Sequence, residues 1–340
     1  MTARTLDAPK GGGGRSDGRR SGGRTARPVA LGPRAAVALG LVSAVGVVAF
    51  GWPLLADSSS GLAHAQDAPW LFAALLPLLV AVVVATIGDT TNGGGLDSKA
   101  VAMLGVLAAA GAALRPLGAG TAGLEPMFFL MVLSGRVLGP GFGFALGAVT
   151  MFASALLTGG VGPWMPFQML AMGWVAMGAG LLPGAGGTSA RTAGGRRRWL
   201  RGRGELVLLA AYGAAVSFLY GTVMNLQGWP YISGMSSGIS FVPGDPVQEN
   251  LVRFAAYCLA TSLGWDLGRA VLTAVATLTL GSAVLKALRR ATRRAAFDAP
   301  AVFTEPRPSA PPGTPLAGKQ LAEPRDANAS PDSAWNCGTS

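Results

Sequence analysis

Histidine is almost missing from this chain: His64 is the only one among 340 residues. A His-based metal centre or proton relay therefore lacks its ligands. The two cysteines, Cys258 and Cys337, stand far apart, so neither a disulfide framework nor a Cys-rich metal set is expected. Charge is scarce as well, at 13% of residues, with 16 acids against 27 Lys and Arg. No phosphate loop of the form G-x-x-x-x-G-K-[ST] occurs. The Gly11–Gly14 run lacks the Lys-Ser/Thr that would reach a nucleotide. These absences argue against an enzyme and call for no cofactor and no metal. Any uphill work would draw its energy from a partner or an ion gradient.

What the chain has instead is apolar length. Half of its residues are apolar, and 51 are glycine. That mixture fits helices packing closely in lipid through small side chains. The stretch 125–182 is the most informative. Three apolar runs are divided there by Arg136-Val137-Leu138-Gly139-Pro140-Gly141 and by Gly159-Gly160-Val161-Gly162-Pro163-Trp164. Glycine permits tight backbone geometry and proline stops helices, so the pattern predicts hairpins of membrane helices.

The fold class expected is all-α: a polytopic membrane helical bundle. Eight spans are expected at about 35–56, 70–88, 98–114, 125–138, 141–158, 165–182, 205–225 and 251–285, most near the roughly 20 residues a bilayer core requires. The bases fall in three blocks: Arg15 to Arg34, Arg191 to Arg203, and Lys286 to Arg294. With both termini cytoplasmic, every block lands on the inner side, as the positive-inside rule demands. A nucleic-acid surface would instead gather bases on one face with stacking aromatics, so no nucleic acid is expected, and membrane lipid takes the basic ends. Residues 1–34 and 291–340 read as disordered cytoplasmic tails.

Three groups of residues suit a ligand. Trp164, Phe167 and Gln168 open the sixth span on the outer side, offering stacking surface beside an amide. Asn225, Gln227, Trp229 and Tyr231 close the seventh span at the same depth. Trp265, Asp266 and Arg269 fall near the middle of the last expected span. A charge at the bilayer centre costs about 2.5–3.5 kcal/mol on insertion scales, so Asp266 and Arg269, three residues apart, are expected to pair and face the interior. Each group also has a plainer reading as interfacial belt, solvated loop or structural ion pair. Arg115, Glu125 and Arg136 are expected to snorkel at the interface, without chemistry.

The segments LSGRVLGPGFGFALGAVTMFASALLTGGVGPWMPFQMLAMGWVAMGAGLL (133–182) and YCLATSLGWDLGRAVLTAVATLTLGSAVLKALRR (257–290) resemble the substrate-binding (S) subunits of energy-coupling factor vitamin transporters. The resemblance implies a six-helix S-component-like core at 98–290, preceded by two additional transmembrane helices within 35–97. It implies a vitamin or related micronutrient as substrate, and a wide aromatic-amide outer surface would suit a corrinoid such as cobalamin. It also implies partners: an energy-coupling transmembrane (T) subunit and two ATP-binding cassette ATPases. An Ala-xxx-Ala on the first core helix meets the coupling subunit in that family, a role that falls on Ala108, Ala109, Ala112 and Ala113. Two further readings stand beside it. A stand-alone secondary transporter predicts inverted repeats and a buried ion site, and an intramembrane enzyme predicts paired acids or a Ser/His pair within the spans.

Overall fold

The computed structural model describes residues 32–55, 68–88, 98–118, 123–183, 202–232 and 236–295. These all belong to one unit, Met1–Ala299; a second unit, Pro300–Ser340, lies outside the described residues. So do His64, Cys337, the Gly11–Gly14 run and nearly all of both expected tails.

Among the described residues the chain is helical, without a strand. The helices are α1 (Pro33–Leu55), α2 (Ala68–Gly88), α3 (Ser98–Leu114), α4 (Met127–Leu138), α5 (Pro140–Thr158), α6 (Met165–Leu181), α7 (Arg203–Gly228), α8 (Val247–Thr261) and α9 (Leu263–Ala295). Five stretches, in α1, α3, α5, α7 and α9, are long and apolar enough to cross a membrane, which marks a helical membrane protein.

The two predicted breaks form as their residues dictate. Gly139 takes φ 96° between α4 and α5, and Pro140 then opens α5, where its missing N–H costs nothing. Gly159 closes α5 in the left-handed conformation, its N–H donating to the Ala155 carbonyl.

α4 is the centre of the bundle. Its 12 residues measure about 18 Å at 1.5 Å each, short of a bilayer core. Length matters little there, because α3, α5, α6, α7 and α9 surround it and every residue from Met131 to Leu138 is buried. Small residues set the spacing. Gly135 of α4 sits against the Ala176 carbonyl of α6, and Gly147 of α5 against Met172 and Gly173. On α7, Gly213, Ser217 and Gly221 recur every fourth residue. Gly213 meets Thr273 of α9, and Gly221 meets the Asp266 carboxylate. Any side chain at these glycines would push the helices apart.

The final predicted span, 251–285, is corrected. The chain breaks at Ser262, dividing it into α8 and a longer α9 that runs on to Ala295. α8 buries Asn250, Phe254 and Tyr257 on one face, and at 15 residues it is not among the stretches long and apolar enough to cross a membrane. Trp265, Asp266 and Arg269 are consequently not mid-span. Asp266 is in the first turn of α9 and Arg269 follows in the next.

α1 and α2 are not a loose addition. α1 packs on α6 and α7, α2 packs on α5 and α6, and Trp174 Nε1 donates to Ser43 Oγ at 3.0 Å.

Candidate functional site

Polar groups gather at the two ends of this bundle. At one end, Glu205 of α7 accepts from Arg136 Nε (2.9 Å) and from Arg289 Nη2 (2.6 Å). Arg136 also donates to the carbonyls of Leu182 and Pro183, both at 3.0 Å, past the end of α6. Arg136 is thus no snorkeller: it is 2% exposed and ties α4, α6 and α7 together. This end is a clasp, with each buried charge answered.

The other end is richer. Arg269 sits at a junction of three helices. Its Nε donates to Glu125 Oε2 (3.0 Å), and its Nη1 donates to Asp266 Oδ1 (2.7 Å) and to the Ser217 carbonyl (3.1 Å). The guanidinium carbon lies 5.1 Å from the Phe128 ring centroid and 5.2 Å from that of Tyr220. The expected pairing of Asp266 with Arg269 is present and is extended by Glu125, which is therefore an ion-pair partner and not a free interfacial side chain. Beside this cluster Arg115, following α3, reaches Ser154 Oγ (2.9 Å) on α5 and Gln168 Oε1 (3.3 Å) on α6. Arg115 therefore also has a role, in joining three helices through neutral acceptors.

The predicted ligand residues divide in a way the sequence did not suggest. Gln168 faces Arg115. Trp164, one turn earlier on the same helix face, is 45% exposed, and its Nε1 donates to the Gly160 carbonyl. Phe167 turns the other way, into the core, where its ring meets Phe50 of α1 at 5.1 Å. Asn225 donates to Ser262 Oγ at 2.7 Å, pinning the α8–α9 break to α7. Its Nδ2 also lies 3.4 Å from Cys258 Sγ. Burial pushes that α8 thiol up from its ordinary value.

Trp229 is fully buried at the centre of a small separate core with Ile239, Phe241, Phe254 and Tyr257, and its Nε1 donates to the Ile239 carbonyl at 2.7 Å. Asn250 closes that lobe through both its amide atoms on the backbone of Val242. Gln227 is buried, Tyr231 lies against Trp52 of α1 with ring centroids 5.8 Å apart, and Trp265 is half exposed at the start of α9. The groups expected to share one pocket are thus linked through α1: Phe50 touches the first and Trp52 the second. Sequence reasoning missed both, since α1 reads only as one more apolar run.

The four alanines of α3 divide too. Ala108 and Ala112 are buried on the inner face of a helix that packs on α5, whereas Ala109 and Ala113 face outward. Among the described residues no group of three or more His, Cys, Asp or Glu is arranged to hold a metal ion.

Chemically, the Arg269 end offers paired charges, free amide donors and one exposed indole. No family model, curated protein or solved structure matches this chain.

Proposed function

We propose that this chain is the substrate-capture subunit of an importer of the energy-coupling factor type. It would bind a vitamin-like solute at the Arg269 end and rely on a membrane coupling subunit and two ATPases for energy. The observation that carries this reading is the asymmetry of the two ends. At the Glu205 end every buried charge is answered within the chain, while at the Arg269 end Arg115, Gln168 and Trp164 keep unused hydrogen-bonding or stacking capacity. The Glu205 end also carries Arg203, Lys286, Arg289, Arg290, Arg293 and Arg294. By the positive-inside rule it faces the cytoplasm, which leaves the recognition end outside and both termini inside. In this reading 98–290 is the six-helix core, with α8 resting at the outer surface, and α1 and α2 brace it.

The corrinoid expectation is narrowed. Phe167 and Trp229 spend their rings on packing, so the aromatic surface left is small, and a small solute fits it better. Docking to the coupling subunit falls to the outward pair, Ala109 and Ala113. The test is purification from native membranes. The tagged chain is expected to bring down one membrane protein and two ATPases and to bind at least one member of a vitamin panel saturably. Ala109→Trp is expected to release those partners while leaving solute binding intact. A chain that purifies alone and binds nothing in the panel refutes the reading.

A further inference from the structure

We infer that Arg115 and Gln168 form a carboxylate-recognition point, so that the captured solute is a small organic acid with a flat apolar body. This rests on the capture reading and names the substrate class of its site. Arg115 forms no ion pair among the described residues, although two acids lie at the same end of the bundle. Both acids, Glu125 and Asp266, are engaged by Arg269. The guanidinium of Arg115 is held instead by a serine hydroxyl and an amide oxygen. Two of its five N–H groups serve those bonds, and the other three have no acceptor among the described residues.

Gln168 deepens the asymmetry. Its acceptor oxygen is turned to Arg115, so what remains is its amide N–H pair. Ser154 likewise spends its own proton on the Met151 carbonyl. The two side-chain oxygens that hold Arg115 are already engaged, and the unused hydrogen-bonding groups of Arg115 and Gln168 are N–H donors, on a half-buried cation. Unused guanidinium donors in a planar fork suit an oxyanion, and a carboxylate matches the fork in two parallel bonds. Trp164, the residue before α6 and one turn before Gln168, supplies a 45% exposed indole whose ring lies over Gly162. An acid attached to a flat ring would satisfy both. A neutral amide would place its own N–H₂ against donors already in excess.

The experiment uses the full chain in lipid nanodiscs, with matched pairs of acid and neutral probe: nicotinate and nicotinamide, pantothenate and panthenol, biotin and biotinamide. Binding is read by calorimetry and by quenching of tryptophan fluorescence. At least one acid is expected to bind about tenfold to a hundredfold more tightly than its neutral partner, the range of a charge-assisted bond pair. Arg115→Gln is expected to erase that preference and Arg115→Lys to restore part of it. Gln168→Leu keeps the cation, removes the amide donors and is expected to give an intermediate loss, which guards against a misfolded Arg115 variant. Equal binding of acid and amide, or an acid affinity unchanged in Arg115→Gln, overturns the carboxylate assignment and leaves capture standing. Absence of saturable binding by either class overturns both.

Discussion

Replacing Arg269 by methionine tests whether the Arg269 cluster holds the bundle together. Methionine keeps most of the side-chain length while removing the charge and all the donors. Asp266, 6% exposed, then loses its closest cation inside the bundle. Glu125, with 27% of its side chain exposed, can rehydrate. The cost comes mainly from Asp266: breaking a buried pair by removing one partner costs about 3–5 kcal/mol. The two ring contacts with Phe128 and Tyr220 add about 0.5–1 kcal/mol each. Asp266→Asn should be milder, about 1–2 kcal/mol, because Arg269 keeps Glu125 and the Ser217 carbonyl. The double variant removes the orphaned charge together with its partner. Its loss should fall short of the summed single losses by about 1–3 kcal/mol. Unfolding in mixed micelles by titration with sodium dodecyl sulfate, followed by tryptophan fluorescence, measures all three. Strict additivity, or an Arg269→Met variant within about 0.5 kcal/mol of the parent, refutes the idea that this cluster is a buried, mutually dependent unit.

Three further outcomes are expected. At the opposite clasp, Glu205→Gln should cost about 3–5 kcal/mol by stranding the buried Arg136. Arg289→Gln should cost under about 1 kcal/mol, since the Arg289 side chain is 38% exposed and Glu205 keeps Arg136; the reverse order in thermal unfolding defeats the assignment. Gly221→Val should lower stability by about 1–3 kcal/mol, because its side chain would run into the Asp266 carboxylate. Gly264→Ala, where an added carbon meets open space, serves as the neutral comparison. In a Cys337→Ser background, alkylation of Cys258 should be slower than that of a free cysteine peptide near pH 8. The raised thiol stays protonated there, and the rate should climb as pH passes the ordinary thiol value; a rate matching the peptide contradicts the buried environment.

The helices of 125–182 were readable because Gly139-Pro140 and Gly159 to Pro163 carry their own stop and start signals. Those signals act locally, through φ at glycine and the missing N–H of proline. The break at Ser262 has only a weak local signal, a serine and Gly264 inside an otherwise apolar run. It depends on Asn225, 37 residues earlier, bonding the Ser262 hydroxyl. Pairing of Asp266 with Arg269 was legible from their spacing of three. Its completion by Glu125 was not, because no periodicity relates positions 144 apart. Amphipathic depth misled in a similar way. Phe167 and Trp229 look like interfacial aromatics in sequence, yet tertiary packing against Phe50 and Phe254 takes both rings out of reach.

The corrected place of Asp266 and Arg269 changes the energetics of the whole chain. Read as mid-span charges, they would stand where insertion is most costly. On α9 they instead mark one edge of an uncharged stretch, Ala270 to Leu285, and Lys286, one turn before Arg289, marks the other. Seventeen residues separate Arg269 from Lys286 (286 minus 269), about 26 Å of helix, and Arg289 lies at about 30 Å, near the thickness of a hydrocarbon core. The two ion clusters then lie towards opposite ends of that stretch, with Glu125 and Arg289 as their partly exposed members and the buried members paired. α4 spans less than that distance, yet its flanking Glu125 and its own Arg136 belong to opposite clusters. The short helix can do this because arginine side chains from α4 and α9 cover the remaining length. Shortening α9 by one turn between Ala270 and Leu285 should therefore break one cluster or the other. Lengthening the exposed start of α8 should disturb neither.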